Sequence, residues 1–328
     1  MTFNDWPWRH WRQRRGEALA LRLNNQPLTW RELCARVDAL ASGFAAQGVM
    51  EGQGVALRAY NQPETLLAWL ALLQCGARVL PLNPQLPAVL LQALLPALTM
   101  QHQLVLNGDV LPGNLPMLTL QLVEGEHAVC WHGDRLVSMT LTSGSIGLPK
   151  AAVHSASAHL ASAAGVLALM PFAAGDDWLL SLPLFHVSGQ GIVWRWLLAG
   201  ARLTVRDKQP LAQMLHGCTH ASLVPTQLWR LLNDDAAVSL KAVLLGGASI
   251  PVELTETGAK AGHTQLLRLW PHRIRLHRVC QRGRRRCGCW RSAAGARGEN
   301  CRRRDLAAGV EYGRRLLAGW SIVVINQQ

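Results

Sequence analysis

Between Met139 and Val153 the chain reads MTLTSGSIGLPKAAV. A β-patterned run leads into Thr142, Ser143, Gly144, Ser145, Ile146, Gly147, Leu148, Pro149 and Lys150, and a helix is expected to follow. The residue types suit a phosphate cradle. Glycines let backbone N–H groups approach an anion, hydroxyls donate further hydrogen bonds, and Lys150 brings a cation. It is not a Walker A loop, which needs Gly directly before the Lys and Ser or Thr directly after; Pro149 and Ala151 stand there instead. Taken alone, the loop also fits a Ser/Gly-rich turn with an exposed lysine.

Two further stretches carry candidates. SLPLFHVSGQG (Ser181–Gly191) holds His186 and Ser188, and Trp194 and Trp196 flank Arg195 a little further on. A lone histidine after phenylalanine is commonly a satisfied structural residue. Core packing is the expected role of the two tryptophans. Arg195 and Ser188 are candidate contacts for a substrate carboxylate. LLGGASIP (Leu244–Pro251) presents Gly246, Gly247 and Ala248; a glycine pair leaving a strand because it needs positive φ would read the same way.

These residues need a scaffold, and the pattern supplies one. Thr29 with Glu32 has capping-box spacing, and apolar residues recur at helical period through Leu33, Val37, Leu40, Ala41 and Phe44. Gly54–Tyr60 and Ala77–Leu80 read as strands around a helix of Leu66–Cys75. A helix from Ala88 towards Leu98 is expected to kink or end early at Pro96. Later strands are expected at Val137–Leu141, Trp178–Leu182, Arg202–Val205, Ala221–Val224 and Ala242–Leu245, with a helix over Ala156–Leu169. Strands separated by helix-length segments predict an α/β fold with a largely parallel sheet. The apolar run Leu66–Leu73 is too short to span a bilayer, and no secretory signal is evident at the start. A cytoplasmic protein is expected.

Charge divides the chain. Of its 328 residues, 1–262 carry 18 Lys/Arg against 17 Asp/Glu, whereas 263–328 carry 15 Arg against 3 acidic residues. The formal net charge of +13 therefore belongs to the tail. Cys34, Cys75, Cys130 and Cys218 are scattered without ligand spacing, as expected of reduced thiols. No metal ligands are assigned.

The loop resembles the phosphate-binding signature of the acyl-adenylate-forming (AMP-binding) superfamily. PLTWREL, GARVLPLNPQLP, SLPLFHVSGQG, SLVPTQL and LLGGASIP match it in the same order. DWPWRHWRQ and LPLFHVSGQGIVWRWLLAGAR are most similar to the bacterial o-succinylbenzoate–CoA ligases of menaquinone biosynthesis. The resemblance implies the N-terminal domain of the adenylate-forming fold over 1–262, an ATP-dependent, AMP-forming acid–CoA ligase. Its partners would be a small carboxylate, Mg²⁺·ATP and coenzyme A. It places the phosphates on Thr142, Ser143, Gly144, Ser145, Gly147 and Lys150, with Ile146 standing where a hydroxyl is usual. It puts His186 beside the acyl pocket and adenylate, and Gly246, Gly247 and Ala248 along the adenine.

The resemblance stops near residue 262. Where the family calls for Tyr-Gly-x-Thr-Glu, with its magnesium-supporting Glu, the chain has Leu269-Trp270-Pro271-His272-Arg273. Read one nucleotide late, those codons force a glycine from Trp-Pro and allow Tyr-Gly-Leu-Thr-Glu. Residues 263–328 are therefore expected to be out-of-frame translation rather than a domain, with the family's small C-terminal domain and its adenylation lysine absent. The expected result is an inactive, poorly soluble chain with uncovered sheet edges. Two rivals remain: a zinc site, for which Cys280, Cys287, Cys289 and Cys301 lack paired spacing, and a non-catalytic nucleotide-binding or nucleic-acid-binding protein using the arginine tail.

Overall fold

The structure is a computed structural model that describes residues 2–142, 150–234, 240–247 and 320–324. Two sheets organise it. Strands β1 (Leu19–Leu23), β2 (Gln26–Thr29), β9 (Asp177–Leu179), β10 (Arg202–Val205), β11 (His220–Leu223), β12 (Ala242–Gly246) and β13 (Trp320–Val324) form a seven-stranded sheet ordered β13-β12-β11-β9-β10-β1-β2. The second sheet, ordered β6-β5-β3-β4-β7-β8, joins β3 (Gly54–Arg58), β4 (Arg78–Leu82), β5 (Met100–Val105), β6 (Met117–Leu118), β7 (Leu136–Thr142) and β8 (Lys150–Ser155). Pairing is parallel except for β1/β2, β7/β8 and β12/β13.

Period-two alternation divides the strand residues between cores. Ala242 and Leu244 join a large central core, whereas Val243 and Leu245 face a smaller one with Ala221 and Leu223. Val55 and Leu57 likewise point to the central core and Ala56 to a third. Such strands, buried on both faces, read as continuous apolar runs. Helices α1 (Pro7–Arg15), α2 (Trp30–Ala46), α3 (Pro63–Gln74), α5 (Ala156–Leu167) and α6 (Val187–Ala199) fill the central layer. Helix α4 (Ala88–Leu94) covers the six-stranded sheet's far face, and α7 (Leu211–Met214) and α8 (Pro225–Leu232) the other's.

Local chemistry explains several boundaries. Thr29 caps α2 by accepting from the Glu32 N–H, and the Glu32 carboxylate reaches back to the Thr29 N–H at 2.7 Å. The helix expected to run to Leu98 ends at Leu94 and tightens into a 3-10 turn over Leu95–Leu98, since Pro96 cannot donate into an α-helical ladder. Sequence reasoning did not foresee α1, anchored by Trp8 Nε1 donating to Gln74 Oε1 at 2.7 Å and Trp11 Nε1 donating to the Leu197 carbonyl at 2.7 Å.

The helix expected from Ala156 is present as α5 (Ala156–Leu167), but an unforeseen strand precedes it: Lys150–Ser155 form β8, antiparallel to β7. The strands on either side of residues 143–149 are therefore paired antiparallel with each other, and no described helix starts at the end of that stretch. The β12 edge is not left open either, because Trp320–Val324 pair with it antiparallel through five residue pairs. Among the described residues no helix is long and apolar enough to cross a membrane.

Candidate active site

Strands β9, β11 and β12 run parallel, and the chain leaves their carboxyl ends at Leu180, Val224 and Gly247. In open α/β sheets that edge is where ligands bind. From β9 the chain turns through Leu180–Phe185 into α6, with His186 at the helix N-cap. Asn61 braces this turn, its Nδ2 donating to the carbonyls of Leu180 and Leu182 and its Oδ1 accepting from the Leu184 N–H. Nothing in the sequence pattern marked Asn61 for this role.

Gly189 is required by close approach. A Cβ there would lie 2.2 Å from the Pro183 carbonyl oxygen, so only glycine lets the first turn of α6 press on the His186 loop. Gly247 has φ of 86° and a Cβ there would meet Val224 Cγ1 at 3.3 Å. Its glycine thus has a backbone reason of its own, and it places the end of β12 against the exit of β11.

A buried amide links this loop to the stem of the glycine-rich hairpin. Gln190 Nε2 donates to Thr140 Oγ1 at 3.2 Å and to the Leu184 carbonyl at 3.1 Å. Thr140 lies two residues before Thr142, where β7 pairs with Lys150 of β8. Loop residues Ser143, Gly144, Ser145 and Gly147 lie outside the described residues, as does Ala248; the backbones of Thr142 and Lys150 place them opposite each other at the hairpin base. The structure therefore joins the loop's stem to the His186 turn. His186 itself is exposed, and partial desolvation lowers its pKa, leaving a neutral imidazole at pH 7. Ser188 is half-buried on the first turn of α6, seven residues before Arg195 and so on the same helix face.

Arg195 has the most unusual surroundings. It is buried on α6, and Trp194 and Trp196 beside it are core residues, as expected: Trp194 stacks on His159 at 5.2 Å and Trp196 on Trp30 at 5.2 Å. Arg195 Nη2 donates to Ser222 Oγ at 3.3 Å, and its Cζ lies 4.6 Å from the centroid of the Trp178 ring. Nε is buried without a partner, and no carboxylate among the described residues pairs with the guanidinium. Arg58 and Arg206, also buried, turn their terminal nitrogens to backbone carbonyls, although the Nε of each is likewise without a partner. Arg58 donates to the carbonyls of Asp109, Pro84 and Leu86, and Arg206 to those of Gln213 and His216. Burial lowers the Arg195 pKa to about 9, which still leaves it a cation at neutral pH. A buried cation without a counter-anion is a receptor for an anionic group.

A family model described as AMP-binding enzyme matches residues 8–270. The chain belongs to that family. It is 73% identical over 262 residues to the 2-succinylbenzoate–CoA ligase of Escherichia coli, covering 80% of this chain and 58% of that protein. The solved R195K variant of Escherichia coli MenE with bound OSB-AMS superposes with a TM-score of 0.78 at 72% identity, covering 80% of this chain and 59% of that one. A Bacillus subtilis o-succinylbenzoate coenzyme A synthetase in complex with ATP and magnesium ion superposes at 0.73, over 80% of this chain and 59% of that one. At 23% identity, that likeness speaks for the fold alone. The chain thus spans well under two thirds of the relatives it matches and corresponds to their N-terminal domain. Among the described residues no cluster of His, Cys, Asp or Glu is disposed to hold a metal ion.

Proposed function

We propose that residues 1–262 are the adenylate-forming domain of a 2-succinylbenzoate–CoA ligase of menaquinone biosynthesis. What carries the reading is Arg195, a buried guanidinium with no carboxylate among the described residues to neutralise it. A substrate with two carboxylates answers that arrangement: one is activated and the other stays ionised against Arg195. The 73% identity to an enzyme named for such a dicarboxylate supports the choice.

In the first half-reaction a carboxylate oxygen attacks the α-phosphorus of ATP, forming an acyl-adenylate as pyrophosphate leaves. In the second, the coenzyme A thiolate attacks the acyl carbon and AMP departs. Mg²⁺ accompanies ATP and screens its phosphates. The N–H groups and hydroxyls of Thr142, Ser143, Gly144, Ser145 and Gly147, with the Lys150 cation, hold the phosphates where charge builds during transfer. His186, neutral and at the mouth of α6, borders the acyl group. Ser188 lies on the Arg195 face of α6, towards the substrate. Gly246, Gly247 and Ala248 lie along the adenine. ATP and coenzyme A as co-substrates imply a cytoplasmic enzyme.

The proposal extends to the tail: residues 263–328 are out-of-frame translation, so this chain binds the acid but does not complete thioester synthesis. The family match ending at residue 270 and the confinement of excess arginine to 263–328 support it. Titration calorimetry of the 328-residue chain with 2-succinylbenzoate, 3-benzoylpropionate and 2-butyrylbenzoate tests the site. The dianion should bind about tenfold or more tightly than either monoacid, and equal affinities would falsify the reading. Sequencing the coding DNA from codon 255 onward tests the tail. An open frame one nucleotide away reading Tyr-Gly-Leu-Thr-Glu is expected, and its restoration should yield thioester formation; stop codons closing that frame would overturn this part.

A further inference from the structure

We infer that Trp178 is a positioning residue for acyl recognition, holding the Arg195 guanidinium with its ring face and its ring edge at once. The inference rests on the reading above, in which Arg195 receives the carboxylate that is not activated.

Trp178 lies at the centre of β9, fully buried between two neighbouring parallel strands. Its ring face lies 4.6 Å below Arg195 Cζ. Its edge donates through Nε1 to Ser222 Oγ at 3.2 Å, the same oxygen that accepts from Arg195 Nη2 at 3.3 Å. One indole therefore fixes both the plane of the guanidinium and the hydroxyl that anchors one of its nitrogens. The indole is itself pinned: Phe172 packs edge-on at 5.0 Å, and the His220 ring lies 5.2 Å away.

The chemistry explains why an aromatic face is suited to this place. A carboxylate beside Arg195 would also immobilise it, but would consume the charge and the fork of donors that a ligand needs. An aromatic face attracts the cation and sets its orientation while leaving the remaining N–H groups unpaired. Nε is one of these, buried and without a partner. The position of Gly191, whose Cβ would lie 3.2 Å from Arg195 Nη1, leaves room beside the other end of the fork. Trp178 thereby helps to decide that the acyl substrate carries a second carboxylate.

The test compares wild type, Trp178→Leu and Trp178→Phe in the full 328-residue chain, by calorimetry with 2-succinylbenzoate and 3-benzoylpropionate. A thermal melt of each variant accompanies the titrations. Trp178→Leu should weaken the dianion by about tenfold while changing the monoacid less than about twofold, and Trp178→Phe, which keeps a ring face, should recover most of the loss. Equal weakening of both ligands, or a dianion affinity indifferent to either substitution, would overturn the inference, since a structural role alone lowers both together. If Trp178→Leu does not fold, Trp178→Met takes its place under the same two outcomes, because methionine likewise removes the ring face and edge while filling the volume. A wild-type chain that binds both acids equally would instead remove the reading on which the inference rests.

Discussion

Replacing Arg195 with methionine should stabilise the unliganded chain while abolishing recognition of the second carboxylate. Burial lowers the guanidinium pKa from its ordinary 12.5 to about 9. At about 1.4 kcal/mol per pH unit, that corresponds to about 5 kcal/mol of unfavourable desolvation. Two interactions offset it. The hydrogen bond to Ser222 contributes about 2 kcal/mol, as expected for a charged donor, and the Trp178 face about 1–2 kcal/mol. About 1–2 kcal/mol of net cost remains, which Arg195→Met removes by filling the same channel with an unbranched apolar chain. Ser222 Oγ keeps its hydrogen bond from Trp178 Nε1, so no new orphan is created. At about 2–4 °C per kcal/mol for a domain of this size, the melting midpoint should rise by about 2–8 °C at pH 7, measured by circular dichroism. The same variant should lose the preference for 2-succinylbenzoate over 3-benzoylpropionate. A midpoint lowered by the equivalent of 2 kcal/mol or more would refute the reasoning, because that is the signature of a structural ion pair broken on one side.

Two other predictions follow from buried groups near the site. His159 is wholly enclosed, hydrogen-bonded to Ser138 Oγ at 2.7 Å, and desolvation lowers its pKa to about 3. The unfolded chain therefore binds one more proton than the folded one between about pH 3 and 6.5, so this stability is present above pH 6.5 and drains away as the pH falls through that window. Urea midpoints should show about 2 kcal/mol lost at pH 5 relative to pH 7, and His159→Gln should flatten that slope; an unchanged slope would contradict the assignment. Gly189→Ala should cost about 2–3 kcal/mol in urea unfolding and displace the His186 turn, because the obstructing atom is a backbone oxygen that cannot swing aside. A variant with wild-type stability and unchanged ligand affinity would show that the turn has slack.

Much of the scaffold was legible in the residues because its causes are local. Thr29 and Glu32 cap a helix through a three-residue spacing, Pro96 ends another, and strands buried on both faces write themselves as short apolar runs such as AVLLG. The family was equally readable, from motifs that follow one another in its order. The exception is the short element after the glycine-rich loop: AAVHS carries no strand assignment in the pattern, yet it pairs with β7 because a hairpin partner lies beside it, and the helix begins at Ala156 as expected. Helix α6 escaped notice as a helix because it is apolar on nearly every side, so the usual amphipathic stripe is missing.

What only the tertiary structure decided is the character of Arg195. The sequence placed an arginine between two tryptophans and could take that no further than a candidate contact. Whether such a residue is a salt-bridge member, a carbonyl clamp like Arg58, or an unneutralised receptor depends on which groups from distant segments surround it. Here those groups are Trp178 from β9 and Ser222 from β11, 17 and 27 positions away along the chain. Among the described residues no carboxylate joins them. Sequence determines which charges a chain carries; the fold determines which of them remain unpaired, because pairing is a matter of distance in space and desolvation of enclosure.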